Sequence, residues 1–131
     1  MKIKSYKELN VWTKAMEIVN KIYDVTVKLP SEEKFNLVSQ IRRSAVSIPS
    51  NIAEGFMRYH KKEYIQFLYM ALGSAAELET QLLICHQRKY IAIEDFEFIQ
   101  EAVDHECRML NKLISSLKSS ESRSPNSESR L

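Results

Sequence analysis

The sequence predicts an all-α protein, an antiparallel up-down-up-down four-helix bundle. Three observations carry that expectation. Only 2 glycines and 3 prolines occur in 131 residues, whereas a sheet protein needs turn residues every few positions. Apolar residues recur at steps of three and four through four long stretches, the period of a helix that buries one face. The segments between those stretches are short, which makes successive helices antiparallel neighbours.

Ser5-Tyr6-Lys7-Glu8 has the form of a capping box, in which serine and glutamate satisfy free amides at a helix start. The first helix is expected to run to Lys28, ahead of Pro30. Leu9, Trp12, Ala15, Met16, Val19, Ile22, Tyr23 and Thr26, flanked by Val11, Ile18, Val25 and Leu29, cover an arc of roughly 200°. One bundle core uses little more than about 100°. The excess points to contact with another subunit.

Ser31 is expected to cap the second helix, with Glu32 and Glu33 in its first turn, where the helix dipole favours anions. This helix should carry Phe35 through to Arg58. Pro49 removes an amide donor and crowds the carbonyl of Ala45, so the expectation is a kink near Pro49. Two separate helices meeting at Ile48-Pro49 are the alternative. The third helix, Lys61 to Arg88, has a seam of Tyr64, Leu68, Ala71, Ala75, Leu78, Leu82 and Cys85. Beside it runs a second stripe of Ile65, Tyr69, Leu72, Ala76 and Leu83. Gly73 costs about 1 kcal/mol of helix propensity, which predicts close packing there as compensation. The fourth helix, Glu94 to Lys118, uses Phe96, Ile99, Val103, Cys107, Leu110, Leu113, Ile114 and Leu117. Acidic residues Glu94, Asp95, Glu97, Glu101, Asp104 and Glu106 fill its first half and Arg108, Lys112 and Lys118 its second, an order that suits the dipole. Residues 1–118 therefore form the bundle. Residues 119–131, a Ser-rich tail with one apolar residue, are expected to be disordered.

No apolar run approaches the roughly 20 residues of a membrane span. The first residues lack the apolar core of a signal peptide, so a cytoplasmic protein is expected. Cys85 and Cys107 then read as reduced thiols inside helices. A net charge of +2 is too small to imply nucleic-acid binding by itself.

Catalytic chemistry finds little support. Bundles that hold two metal ions use Glu-x-x-His pairs, and this sequence contains none. Cys85, His86, His105 and Cys107 superficially resemble zinc ligands. Folding back around Ile91 would leave the two cysteines roughly 15 Å apart. No nucleophile elbow or glycine-rich phosphate loop is present. The sequence thus predicts a non-enzymatic protein with no metal and no cofactor.

The stretch Gln40 to Arg58 is the most informative. Gln40, Ser44, Ser47, Asn51, Glu54 and Arg58 recur at steps of three and four and form a polar ridge. Gln40, Arg43, Ser47, Asn51 and Glu54, with Pro49 and Gly55 and with Glu79 on the third helix, are the candidate structural seam at a helix or subunit interface. Arg42, Arg58, Lys61, Lys62 and Lys7 remain as candidate nucleic-acid contacts. For a single chain a solvated face with internal ion pairs, such as Arg43 with a glutamate of the third helix, is the favoured explanation. A symmetric ring repeats each cation and turns a weak patch into a charged belt.

Specific runs of residues resemble the bacterial four helix bundle protein family, also described as proteins encoded within intervening sequences of large ribosomal RNA genes. They are Leu9-x-Val11-Trp12-x-x-Ala15, Leu29-Pro30-x-Glu32 and the whole of Gln40 to Gly55. Glu63-Tyr64, Ala71-Leu72-Gly73-Ser74, Glu77-Leu78-Glu79-x-x-Leu82 and Tyr90-Ile91 add to it. The resemblance covers residues 5–118, and His60 departs from the serine or threonine expected before the third helix. It implies a ring, commonly a homopentamer with a central channel. It also implies kinship with the accessory proteins of diversity-generating retroelements, which bind nucleic acid and contact a reverse transcriptase. Two functions follow as expectations: a homo-oligomeric adaptor that binds RNA or DNA, or a protein-interaction scaffold for a reverse transcriptase or other enzyme.

Overall fold

The computed structural model describes residues 2–123, the last three of them for backbone alone. Four α-helices account for most of it: α1 Asn10–Thr26, α2 Leu37–Phe56, α3 Lys61–Gln87 and α4 Ile93–Arg123. There is no strand among the described residues. Each helix packs on two others, α1 on α2, α2 on α3, α3 on α4 and α4 back on α1. Contacts between neighbours run in opposite directions. Ser44 meets Gln81 while Gly55 meets Phe67, and His86 stacks on Phe96 while Lys118 reaches Tyr69. The result is an antiparallel four-helix bundle.

The starts of the first two helices differ from the sequence expectation, whereas α3 opens at the expected Lys61. Ser5 accepts a hydrogen bond from the Lys7 amide (3.2 Å), but it does so in a 3-10 turn, Tyr6–Glu8. Glu8 accepts from the Lys4 amide at 3.4 Å, so the box does not close and α1 opens only at Asn10. Ser31 likewise opens a 3-10 turn, Ser31–Glu33, and α2 begins at Leu37. Short i→i+3 bonds satisfy the same free amides that a cap would. Phe35 is left outside the helix and 89% exposed. α2 continues unbroken through Pro49, which removes the two-helix alternative. α3 starts after His60, which makes no side-chain cap bond. It ends in a Schellman motif: Lys89 adopts φ 62°, Tyr90 N–H bonds to Cys85 C=O (2.8 Å) and Lys89 N–H to His86 C=O (3.0 Å). α4 extends to Arg123, past the expected end at Lys118. Residues 124–131 of the expected tail lie outside the described residues.

The core is built from Ile22, Ile41, Ile48, Ile52, Leu68, Leu78, Leu82, Ile99 and Leu110, all essentially inaccessible. Burial of each such side chain contributes roughly 1.5–3 kcal/mol. Ala15, Ala45, Ala71 and Ala75 let the helices approach between them. The third-helix seam is buried apart from half-buried Tyr64, whereas Tyr69, Ala76 and Leu83 of its second stripe face outward. Close packing occurs at Gly55, not at Gly73. A methyl at Gly73 would meet nothing within 4 Å; at Gly55 it would stand 2.6 Å from the Phe67 Cβ. No helix among the described residues is long and apolar enough to cross a membrane.

Candidate nucleic-acid interface

The five candidate cations fall at two ends of the bundle. Antiparallel packing places the start of α1, the end of α2, the start of α3 and the end of α4 together, so Lys7, Arg58, Lys61 and Lys62 share one end. Arg42 lies sixteen residues before Arg58, roughly 24 Å away at the helical rise. One patch containing all five does not exist.

Several of these cations are engaged. Arg58 bonds Glu54 (2.8 Å), approaches Glu63 (3.8 Å) and covers the Phe67 ring at 4.8 Å. Lys61, expected to be open to a ligand, is 4% exposed and donates to the Ser120 hydroxyl (3.3 Å). The last turns of α4 cover it. Lys7 and Lys62 are exposed, and their ammonium groups have no partner among the described residues.

Arg42 and Arg43 stand the other way round from the sequence reading. Arg42 is half-buried: its Nε donates to Thr26 Oγ1 (2.9 Å), and its guanidinium lies 4.5 Å from the Tyr23 ring centre. Thr26 is fixed in turn by donating to the Ile22 carbonyl (2.7 Å). Arg43, assigned to the seam, is exposed and its side chain has no partner among the described residues. Adjacent helical residues point about 100° apart. Which arginine meets α1 is therefore a tertiary fact.

The seam residues bond mainly along their own helix. Gln40 donates to Asn36 (3.0 Å), Ser47 to the Arg43 carbonyl (2.9 Å) and Asn51 to the Ser47 carbonyl (2.9 Å), while Glu54 holds Arg58. Pro49 and Gly55 are buried, and Glu79 is half-buried. A buried polar bond from α2 to α3 comes from a residue the seam omitted: Ser44 donates to Gln81 Oε1 at 2.6 Å. Replacing Gln81 by leucine should cost about 0.5–1.5 kcal/mol, the worth of one net hydrogen bond, because the Ser44 hydroxyl can still donate to the Gln40 or Ile41 carbonyl at 3.2 and 3.1 Å. Adding Ser44→Ala to it should cost little more, since the bond between the two side chains is already gone. Urea unfolding of the single and double variants checks it, and additive losses would show that the pair is not coupled.

Around Arg42 the structure assembles a group that sequence reasoning missed. Two surface hollows, about 360 and 440 Å³, share Lys34, Val38 and Arg42. The second is also lined by Tyr23, Phe35 and Arg43. No carboxylate lines either one. Glu33, close in sequence, is held by the Tyr90 hydroxyl (3.2 Å) and the Asn36 amide (3.4 Å). Lys34 sits 5.5 Å from the Phe35 ring centre. The missed signal was Phe35 itself, an apolar residue with no place in the helical period once α2 starts at Leu37.

The thiols and carboxylates form no comparable group. Burial pushes Cys85 up to about 11, with Glu33 adding to the shift. Cys107 is also raised, first by burial and then by Glu79, Glu106 and Asp104. Neither is an activated thiolate. Among the described residues no three His, Cys, Asp or Glu side chains are placed to hold a metal ion.

Fold and surface together define a helical-bundle protein that presents cations and aromatic rings at one corner. The chain belongs to the 23S rRNA-intervening sequence protein family, whose model matches residues 7–112. It is similar to a solved structure from Bacteroides thetaiotaomicron, a protein with unknown function from the S23 ribosomal protein family. The two are 30% identical with a TM-score of 0.74, over 80% of this chain and 95% of that one. No curated protein matches the chain.

Proposed function

We propose that this protein is a non-enzymatic, homo-oligomeric nucleic-acid-binding adaptor that acts on RNA or DNA through a basic surface repeated around a ring of subunits. The observation that carries the reading is the group of Lys34, Arg42 and Arg43 around hollows without a carboxylate. Cations free of acidic partners are what polyphosphate backbones select.

A ring is supported by two separate outward apolar faces. One is a groove between α1 and α2, lined by Tyr6, Trp12, Met16, Val19, Pro49 and Ala53, with a bend of α2 at Pro49 shaping its floor. The other is the outer stripe of α3, where Tyr69, Met70, Leu83 and Ile84 are exposed around Gly73. Two different faces joined head to tail close a ring. A homopentamer is the expected closure.

The test combines mass and binding. Light scattering should give about 77 kDa, five times the 15.3 kDa chain; a 15 kDa monomer at micromolar concentration overturns the ring. Filter binding of structured RNA should be clear at low salt and weaken steeply as salt rises. Absence of binding at low salt rejects the nucleic-acid reading and favours the scaffold, with a reverse transcriptase or another protein as the partner.

A further inference from the structure

The α1–α2 corner has features that phosphate attraction does not require. A phenyl ring 89% exposed leaves apolar surface in water that a partner would cover. Tyr23, also exposed, lies under the Arg42 guanidinium in the same hollow. Ser31 lines the first hollow and Ser39 the second, and neither hydroxyl is bonded among the described residues. Cations, a free aromatic face and unbonded hydroxyls thus meet within one short stretch of surface.

We propose that this corner binds an unpaired segment of RNA, with a base stacked on Phe35 and the flanking phosphates held by Lys34, Arg42 and Arg43. A base inside a duplex has both faces covered by its neighbours, so a protruding ring selects a base free of the stack. Lys34 lies over one face of the ring, so the base takes the other face while the cation attracts the phosphate of the stacked nucleotide. Arg42 uses Nε for Thr26, and its terminal nitrogens remain to donate to an anion. Ser31 and Ser39 can donate to and accept from a ribose 2′-hydroxyl, the group that separates RNA from DNA. A symmetric contact between two copies of the corner would set these three cations against their own images, which disfavours that occupant.

The inference rests on the nucleic-acid reading above, and its test separates the two. Fluorescence anisotropy on the full chain would compare a single-stranded oligoribonucleotide, the deoxy strand of the same sequence and the RNA duplex. The expected order is single-stranded RNA, then single-stranded DNA, then duplex. Phe35→Ala should weaken single-stranded RNA about tenfold and leave the salt slope unchanged, whereas Arg43→Gln should lower that slope by about one. Lys112→Gln, an exposed cation beside the start of α1 at the far end of the bundle, should change affinity less than about twofold. No binding by the wild type at low salt rejects the proposed function itself. Binding that ignores Phe35→Ala, or that prefers duplex, overturns this inference and leaves that function standing. DNA bound as tightly as RNA overturns the ribose contact. A change in molecular mass on Phe35→Ala identifies the ring as a subunit contact and overturns the proposal too.

Discussion

Raising the pH from about 5 to about 9 should lower the stability of this protein by on the order of 4 kcal/mol, with Glu106 as the cause. Glu106 follows Val103 by three residues and precedes Leu110 by four, which puts it on the core face of α4. It has no accessible surface, and neither carboxylate oxygen has a hydrogen-bond partner among the described residues. Burial pushes its carboxyl from 4.5 up to about 8, with Lys14 on α1 opposing by a smaller amount. Below about 4.5 the group is neutral whether the chain is folded or not, and stability does not depend on it. Between about 4.5 and 8 the unfolded chain ionises while the folded one keeps its proton. Each pH unit there removes about 1.4 kcal/mol. Above about 8 both states are ionised and the loss is complete.

Other buried groups do not blur this window. Burial and Glu33 raise Cys85 from 9.0 to about 11, and burial raises Tyr64 from 10.0 to about 12, so both act at higher pH. Glu106→Gln should flatten the profile between about pH 5 and 8, and Glu106→Leu should raise stability at neutral pH by filling the site with an apolar group. Urea unfolding at three pH values measures it. A wild type whose midpoint ignores pH, or a glutamine variant with the wild-type slope, would show that the carboxyl is solvated or paired in solution.

The history of Glu106 in the sequence shows where reading by pattern stops. Grouped with five other acids in the first half of the fourth helix, it looked like a response to the helix dipole. Its period with Val103 and Leu110 pointed to the core instead, but Cys107 beside it filled that position and hid the signal. Helix existence was legible throughout, because an apolar period sustained over four or more turns has no competing explanation. The starts of α1 and α2 were not, since Ser5 and Ser31 serve 3-10 turns as readily as α-helices, whereas α3 opens at the expected Lys61. Candidate cations were legible as a set but not as a site. Lys61 looked free because the helix that covers it was expected to stop at Lys118, and Arg42 and Arg43 exchanged places because one residue turns the helix by about 100°. Phe35 shows the same limit: α2 was expected to open at Glu32 behind a Ser31 cap and opens at Leu37, and those five residues moved Phe35 from the helix to the surface.

Gly55 and Gly73 should respond to the same substitution with opposite signs. Both sit inside helices with ordinary backbone, as neither has a positive φ, so conformational freedom explains neither. Alanine therefore gains about 1 kcal/mol of helix propensity at each. At Gly55 that gain is overwhelmed. The new methyl would stand 2.6 Å from the Phe67 Cβ and 3.3 Å from the Tyr64 ring and carbonyl, and a Cβ cannot swing aside as the end of a long side chain can. α2 and α3 must separate there, which also loosens the edge-on contact of Phe56 with Tyr64 (5.9 Å) and the Arg58 cover on Phe67. Overpacking of this kind typically costs about 1–3 kcal/mol, so after the propensity gain a net loss of about 1 kcal/mol is expected at Gly55. At Gly73 nothing opposes the gain within one subunit, and Gly73→Ala should stabilise the isolated chain by about 1 kcal/mol. Thermal unfolding of the two variants separates them; a Gly55→Ala protein as stable as wild type would mean that α2 and α3 do not approach this closely. The Gly73 variant also bears on assembly. A loss of molecular mass, with a subunit that is itself more stable, is the pairing expected if a neighbouring subunit packs against the open stripe of α3.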